Sequence, residues 1–480
     1  MDQIDLQEIK HKTTSSVIFL SLRNLGIQAI AFIGFFLLSY LLGTNEVGVF
    51  AIVAESVSIL GYFSDIGLAA ALIQQKDEVT KDELQTTFCI QQTLVMIALI
   101  IAFPIVSKQH LGFNEIWIVI SLCFSFMAAS LKTIPSVLLE RKLNFKLLST
   151  IDIIENITFY LIAVIFAFLG FGTLSYAIAT FVRSLLGLII IYKFISWPIG
   201  FSFSKNVAKK LFKYGVPYQM NSLISVAKDR LSNLFVAQII GTNSFGILAW
   251  AQKGPRMPLS FMDAIMKITF PTFSRLQDHK DLLKKSLNKS LFFIALIVFP
   301  ALVGISFIGL DFIYIVPKYT KWLPAILPMY LYAFNSAIAA ITTPITNAFN
   351  AIGKITLTTK FMVLWTILTW IFFPTLSWKF GYMGTVVASV IVGISSFIVW
   401  FVAQREFGFS IFESVKKPFL GSILMGLILL LVNQFNLNHL LNVIIKIIIG
   451  CLTYFIFIIF SSKDEINWFW QQIQCLKNKK

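Results

Sequence analysis

Nine of the 39 lysines and arginines in this 480-residue chain lie inside stretches otherwise apolar enough to cross a bilayer: Arg23, Lys132, Arg183, Lys228, Arg230, Lys253, Arg256, Lys267 and Lys446. A charge at the bilayer centre costs roughly 2.5–3.5 kcal/mol on insertion scales, so such groups face a wet cavity, pair with an acid, or reach for the membrane surface. The chemistry open to a cationic intramembrane cluster is the binding of an anion, with Arg acting bidentately and Lys as a point charge. Acids accompany them. Glu55, Ser58, Tyr62 and Asp65 step by three, four and three residues, which places them on one helix face. A second stripe, Lys253, Arg256, Ser260, Asp263 and Lys267, has the same spacing and largely the opposite charge.

Position along the helices sorts the rest. Lys132, Asp152, Glu155, Lys267 and Lys446 fall within two turns of predicted cytoplasmic ends and are expected to snorkel to the surface. Arg23 lies less than three turns in, and Arg183 about mid-helix. Lys228 and Arg230 are roughly 200° apart on a regular helix and cannot both face one cavity. Lys228 shares its face with Asn221 and Ser225 and is the one chosen, with Asp229 able to neutralise a neighbour. The alternative reading of the stripes is a structural ion pair of Glu55 with Lys253, which would leave Arg256 without an obvious partner.

The elements that must position these residues are membrane helices. The chain is 57% hydrophobic and 13% charged, with a mean hydropathy of +0.81, outside the range of soluble globular chains. Apolar runs of twenty or more residues follow one another from Ser16 to Ser461, each long enough for a hydrocarbon layer of roughly 30 Å. They predict an all-α integral membrane protein of about fourteen transmembrane helices, near 16–42, 46–73, 84–106, 114–139, 148–169, 174–196, 214–240, 245–270, 288–310, 323–349, 356–377, 383–403, 418–433 and 439–461. The first run is too long for a signal-peptide core and reads as a retained helix.

A net charge of +16 would suggest nucleic acid in a soluble protein, but here it divides by side. Of the 39 basic residues, 26 fall in alternate connections and termini and only Lys108, Lys318, Lys321 and Lys379 in the others, which predicts both termini in the cytoplasm of a bacterial inner membrane. No nucleic-acid partner is expected; the partner is the phospholipid membrane.

A repeat organises the helices. Leu42-Gly43-Thr44-Asn45-Glu46-Val47-Gly48 recurs as Ile240-Gly241-Thr242-Asn243-Ser244-Phe245-Gly246 at an offset of 198, which also pairs Phe63 with Phe261 and Asp65 with Asp263. It predicts parallel repeats: an N-terminal lobe of six helices over 1–204, a second over 205–405 opened by the basic linker 205–213, and two further helices with a tail over 406–480. Gly and Asn supply the tight turn of each lobe's first hairpin. Lobes facing across a cleft would let an acidic stripe and a basic one meet.

Several chemistries are excluded or disfavoured. Gly353-Lys354 lacks the earlier Gly and the following Ser/Thr of a phosphate-binding loop, so ATP is not expected as a substrate. His11, His110, His279 and His439 are dispersed in loops and ends without metal-ligand spacing, and no metal site is expected. Cys89, Cys123, Cys451 and Cys475 contain no C-x-x-C pair and read as packing residues. Every outer connection is short, which disfavours a membrane enzyme of glycan assembly. A drug or small-solute antiporter would favour acids and aromatics over nine cations.

The residues resemble those of the Wzx-type oligosaccharide flippases, the polysaccharide-transport branch of the MOP superfamily. The resemblance rests on Leu42-Gly43 through Gly48 leading into Phe63-Ser64-Asp65-Ile66-Gly67-Leu68 and Ala71-Leu72-Ile73-Gln74. Glu140-Arg141-Lys142-Leu143-Asn144-Phe145, Lys213-Tyr214-Gly215-Val216-Pro217, Phe270-Pro271-Thr272-Phe273-Ser274-Arg275-Leu276-Gln277 and Lys321-Trp322-Leu323-Pro324-Ala325 continue it in order. It implies two six-helix lobes in a V around a central cationic cavity, alternating access, and an oligosaccharide on undecaprenyl diphosphate as substrate, with other glycan-assembly proteins as partners.

On that footing Lys253 and Arg256, helped by Lys228, Arg23 and Arg183, are the expected diphosphate ligands. Glu55, Asp65 and Asp263 are the cavity acids, able to pair with the cations or to take the proton or sodium ion that resets the carrier. No catalytic residue and no cofactor is expected. One departure is that relatives often place an acid near position 232, where this chain has Ser232, with Asp229 one turn earlier.

Overall fold

The computed structural model describes residues 26–65, 67–75, 77–107, 112–142, 144–408, 410–435 and 438–462. Every described element is helical. In chain order they are α1 (Gly26–Leu41), α2 (Thr44–Asp65), α3 (Leu68–Gln74), α4 (Lys81–Ser107), α5 (Phe113–Arg141), α6 (Phe145–Phe168), α7 (Leu174–Phe194) and α8 (Lys205–Val226). A π-helical turn over Ala227–Leu231 leads into α9 (Ser232–Arg256) and α10 (Leu259–Arg275). Then come α11 (Lys280–Ile315), a 3₁₀ segment over Tyr319–Ala325, α12 (Ile326–Ala351), α13 (Ile355–Ile394), α14 (Phe397–Phe407), α15 (Ile411–Val432) and α16 (His439–Ser461).

Ten helical stretches among the described residues are long and apolar enough to cross a membrane. Two of these contain a break that the sequence spans place between separate helices. α9 breaks at Gly241, with φ 79°, and α13 at Gly381, with φ 58°, a region of backbone space open to glycine at little cost. Past Gly381 the chain folds back far enough for Ser377 and Thr385 to share a hydroxyl hydrogen bond of 2.7 Å. The span expected over 46–73 divides into α2 and α3 around Gly67, and that over 245–270 is interrupted between α9 and α10 at Met257-Pro258.

Packing groups the helices into two compact units, Met1–Ala249 with Thr366–Thr385, and Trp250–Trp365 with Val386–Lys480. This division differs from the one at 204 and 405 drawn from the repeat. A sequence offset tracks copied segments, whereas packing tracks which helices bury one another: α8 buries Ala208 and Leu211 against Leu68, Leu72 and Leu84 of α3 and α4, within the first unit.

In that first unit α7 packs along both α5 and α6, and Ser184 donates to Ser125 across the α7–α5 contact at 2.7 Å. In the second, α11 carries α12, α15 and α16, around Leu287, Leu291, Ile345 and Phe349. Apolar side chains gain little by leaving lipid for one another, so close approach of backbones matters more. Gly421 and Gly426 of α15 and Gly450 of α16 are buried accordingly, and Tyr454 donates to the Leu296 carbonyl of α11 at 2.9 Å.

The two copies of the repeated heptapeptide meet inside the first unit. The Thr44 hydroxyl donates to the Asn243 side-chain oxygen, and the Thr242 hydroxyl to that of Asn45. A Cβ on Gly48 would overlap the Thr242 carbonyl oxygen, and one on Gly246 the Thr44 carbonyl oxygen. The glycines are therefore required by the closeness of the two turns.

Candidate functional site

The π-helical turn after α8 sets the geometry of the first cluster. Such a turn adds one residue to the helical path, and π-turns often occur at functional sites. Here Arg230 reaches α2 and its Nη1 donates to Glu55 Oε2 at 2.6 Å, while Asn233 Nδ2 lies 3.5 Å from Glu55 Oε1. Lys228 pairs with its neighbour Asp229, whose other oxygen accepts from Ser225 at 3.4 Å. The Ala227 carbonyl at the start of the turn accepts from Trp370 Nε1 at 3.1 Å. Of the two cations separated by helical phase, Arg230 is thus the partner of Glu55, and Lys228 is held locally. Ser232 is 2% exposed and its hydroxyl donates to the Lys228 carbonyl.

A second cluster joins α5, α6 and α7. Glu155 is 5% exposed and accepts from Lys132, and Arg183 Nε lies 3.8 Å from its other oxygen. Gly187, one turn beyond Arg183, leaves the space in which the Glu155 carboxylate sits; any Cβ there would overlap it. The Arg183 guanidinium also lies 5.8 Å from the centroid of the Phe159 ring, within reach of a cation–π contact, and its side chain keeps 38% exposure. Lys132 and Glu155 therefore do not snorkel. They pair with each other across α5 and α6.

The third cluster belongs to the second unit. Gly254 of α9 is buried against Ile305 and Met329, Pro255 follows it, and the helix ends at Arg256, leaving that side chain exposed at the break before α10. Lys253, half-buried, lies in the field of Arg256. Asp263 and Lys267 are exposed on α10, and Asp263 feels both Arg256 and Lys267. The stripe expected on one continuous helix is thus split across α9 and α10, with its charges still electrostatically coupled.

The remaining expectations fall elsewhere. Arg23 and the side chain of Asp65 lie outside the described residues. Lys446 does not snorkel: it is 2% exposed, two turns from the start of α16 and at the end away from the basic tail, and it pairs with Asp311 of α11. His439, expected to be an ordinary surface residue, contacts the same carboxylate through Nδ1 at 2.8 Å. Arg230 and Asp311 are the charged residues that spacing alone passed over. Glu55, an acid in the middle of α2, is the one signal in the sequence that called for a cationic partner; Asp311, near the end of α11, gave none.

These helices and their internal ion pairs define a polytopic α-helical membrane protein built to hold charge within its apolar elements. The chain belongs to the polysaccharide biosynthesis protein family, whose sequence profile matches residues 37–327. It is 25% identical over 479 residues to an uncharacterized membrane protein in the cps region of Klebsiella pneumoniae, a match covering 95% of this chain and 96% of that one. It is 22% identical over 368 residues to the lipopolysaccharide biosynthesis protein WzxC of Escherichia coli (strain K12), covering 75% of this chain and 74% of that one. Its fold is that of the lipid II flippase MurJ in an inward closed conformation, with a TM-score of 0.74 at 18% identity, covering 94% of this chain and 99% of that chain. The resemblance to Wzx-type proteins and the all-α membrane fold expected from the sequence are borne out.

Proposed function

We propose that this protein is a flippase that moves an oligosaccharide carried on undecaprenyl diphosphate across the bacterial inner membrane by alternating access, with both termini in the cytoplasm. Family membership and the lipopolysaccharide and lipid II proteins it resembles support a lipid-linked glycan as the cargo. The observation that carries the reading is Arg256, exposed where α9 ends, with Lys253 one turn behind it. A lipid diphosphate has its charge beside a long apolar tail, so a carrier must offer cations at membrane depth without burying the tail with them. Arg256 binds the diphosphate bidentately and Lys253 as a point charge. Of the cations expected to help, Arg183 and Lys228 are each held by an acid, Glu155 and Asp229.

The protein acts as a carrier, with no catalytic residue and no cofactor. Resetting is coupled to a proton or sodium ion at an acid among Glu55, Asp65 and Asp263. Asp263 has the strongest case, being exposed and in the field of Arg256 and Lys267, whereas Glu55 is engaged by Arg230. Other glycan-assembly proteins are its proposed partners.

Arg256→Glu tests the site. Surface glycan should fall at least roughly tenfold, the loss of about one charge-assisted contact, while the protein remains in the membrane at its normal level. Normal glycan export in that strain would remove Arg256 from the substrate path.

A further inference from the structure

The connection between α7 and α8, residues 195–204, has neither helix nor strand, yet it is fastened along one side. Trp197 is 7% exposed, meets the Phe88 ring at a centroid distance of 5.2 Å and donates from Nε1 to the Tyr192 hydroxyl at 3.4 Å. The Pro198 carbonyl accepts from Gln85 Nε2 at 2.9 Å, and the Ser204 amide donates to the Thr86 hydroxyl at 3.1 Å. A Cβ on Gly200 would overlap the Gln85 side chain, so the backbone lies directly against α4 there.

The other side is apolar and uncovered. The Ile199 amide donates to the Trp197 carbonyl at 2.8 Å, a three-residue turn about Pro198. Past this turn the exposure alternates with the period of an extended chain. Ile199, Phe201 and Phe203 are 58%, 77% and 60% exposed, whereas Gly200, Ser202 and Ser204 between them are half-buried. Phe194, the last residue of α7, is exposed as well.

This face belongs at the surface of the bilayer. α7 is long and apolar enough to cross a membrane and ends at Phe194, where the connection begins. α4 is another such helix, and the connection is fastened to its second turn, at Gln85, Thr86 and Phe88, just past the charged Lys81, Asp82 and Glu83. Backbone outside helix or sheet does not lie exposed in hydrocarbon, where its polar groups find no water, so the connection is confined to the boundary. Exposed Lys193, Lys205 and Lys209 flank it, as suits a headgroup layer.

We propose that residues 195–204 form an interfacial membrane anchor. Ile199, Phe201 and Phe203 insert among the acyl chains of one leaflet while the backbone stays at headgroup level, which fixes the depth at which α8 begins. A bilayer suits this face better than another protein does, because the face starts directly where α7 leaves the membrane and is bracketed by lysines.

Spin labels on Ile199→Cys, Phe201→Cys and Phe203→Cys test the anchor, each in a full-length chain whose four native cysteines are changed to alanine, set in lipid nanodiscs. Oxygen, which concentrates among acyl chains, should relax each label severalfold more than a water-soluble nickel chelate does. A label on Glu78→Cys, exposed in the connection between α3 and α4, should show the reverse. With Ile199→Asp and Phe203→Asp added, which leave the contacts of Trp197, Pro198 and Ser204 in place, the Phe201→Cys label should turn to nickel preference. Nickel preference at any of the three positions in the parent chain overturns the assignment. Shielding from both reagents overturns it too, because it means that protein covers the face. Oxygen preference that survives the two aspartates also refutes the anchor, since the apolar side chains would not be what holds the segment in lipid. If the cysteine-free chain does not fold, p-benzoylphenylalanine in place of Phe201 or Phe203 in the native chain should photo-crosslink to phospholipid in membranes; adducts to protein alone, or none, overturn the proposal.

Discussion

Replacing Glu155 by glutamine should destabilise the first unit by about 3 kcal/mol, a figure that follows from which of its two cations loses more. The Glu155 side chain is 7% exposed, Lys132 19% and Arg183 38%. Arg183 stands 3.8 Å away and can turn to water or to Phe159, so its share is at most about 1 kcal/mol. Lys132 has no such recourse. Removing one partner of a buried pair costs roughly 3–5 kcal/mol because a charge is left behind, and the partial exposure of Lys132 puts the loss near the lower end. At about 2–4 °C per kcal/mol, the thermal midpoint of the purified protein, followed by tryptophan fluorescence in detergent, should drop by roughly 6–12 °C. Lys132→Met should also destabilise, by leaving Glu155 with Arg183 alone. The double variant should recover part of the loss, with a coupling of about 1–3 kcal/mol. Glu155→Gln melting within about 1 °C of the wild type, or strictly additive single effects, would refute the account of a coupled pair with a buried carboxylate.

Exchanging the charges of the α2–π-turn pair should behave reciprocally. Glu55→Arg and Arg230→Glu should each lower membrane yield severalfold through like-charge contact, and the double exchange should restore most of it, as read by fluorescence of a tagged chain. Gly48→Ala and Gly246→Ala should lower the thermal midpoint by similar amounts, because each Cβ meets the equivalent carbonyl oxygen of the other turn. A tolerated substitution at either would show that the two turns are not held in contact.

The apolar runs made the membrane class and most helix positions legible, and the Gly-Thr-Asn turn was visible in both copies. The partners of the charges were less so. A single extra residue in a helical turn leaves the hydropathy pattern unchanged, so the π-turn that delivers Arg230 to Glu55 could not be read from spacing. Lys132, Glu155 and Lys446 were assigned to the surface because sequence reports distance from a helix end. Their burial depends on what the adjoining helix presents: the space at Gly187 in one case, Asp311 in the other. His439 read as a loop residue for the same reason, since its partner lies more than a hundred positions away.

The reciprocal contact of the two heptapeptides has a further meaning. It is isologous: Thr44 is to Asn243 as Thr242 is to Asn45, the relation that two copies of one short chain form about a two-fold axis. The copies have drifted apart at Glu46 against Ser244 and Val47 against Phe245. They agree at Gly43 and Gly241, and at the Thr, Asn and final Gly that make the contact. What remains alike is a self-complementary patch, as though a half-length ancestor had first closed this contact with itself and duplication had later tied the partners into one polypeptide.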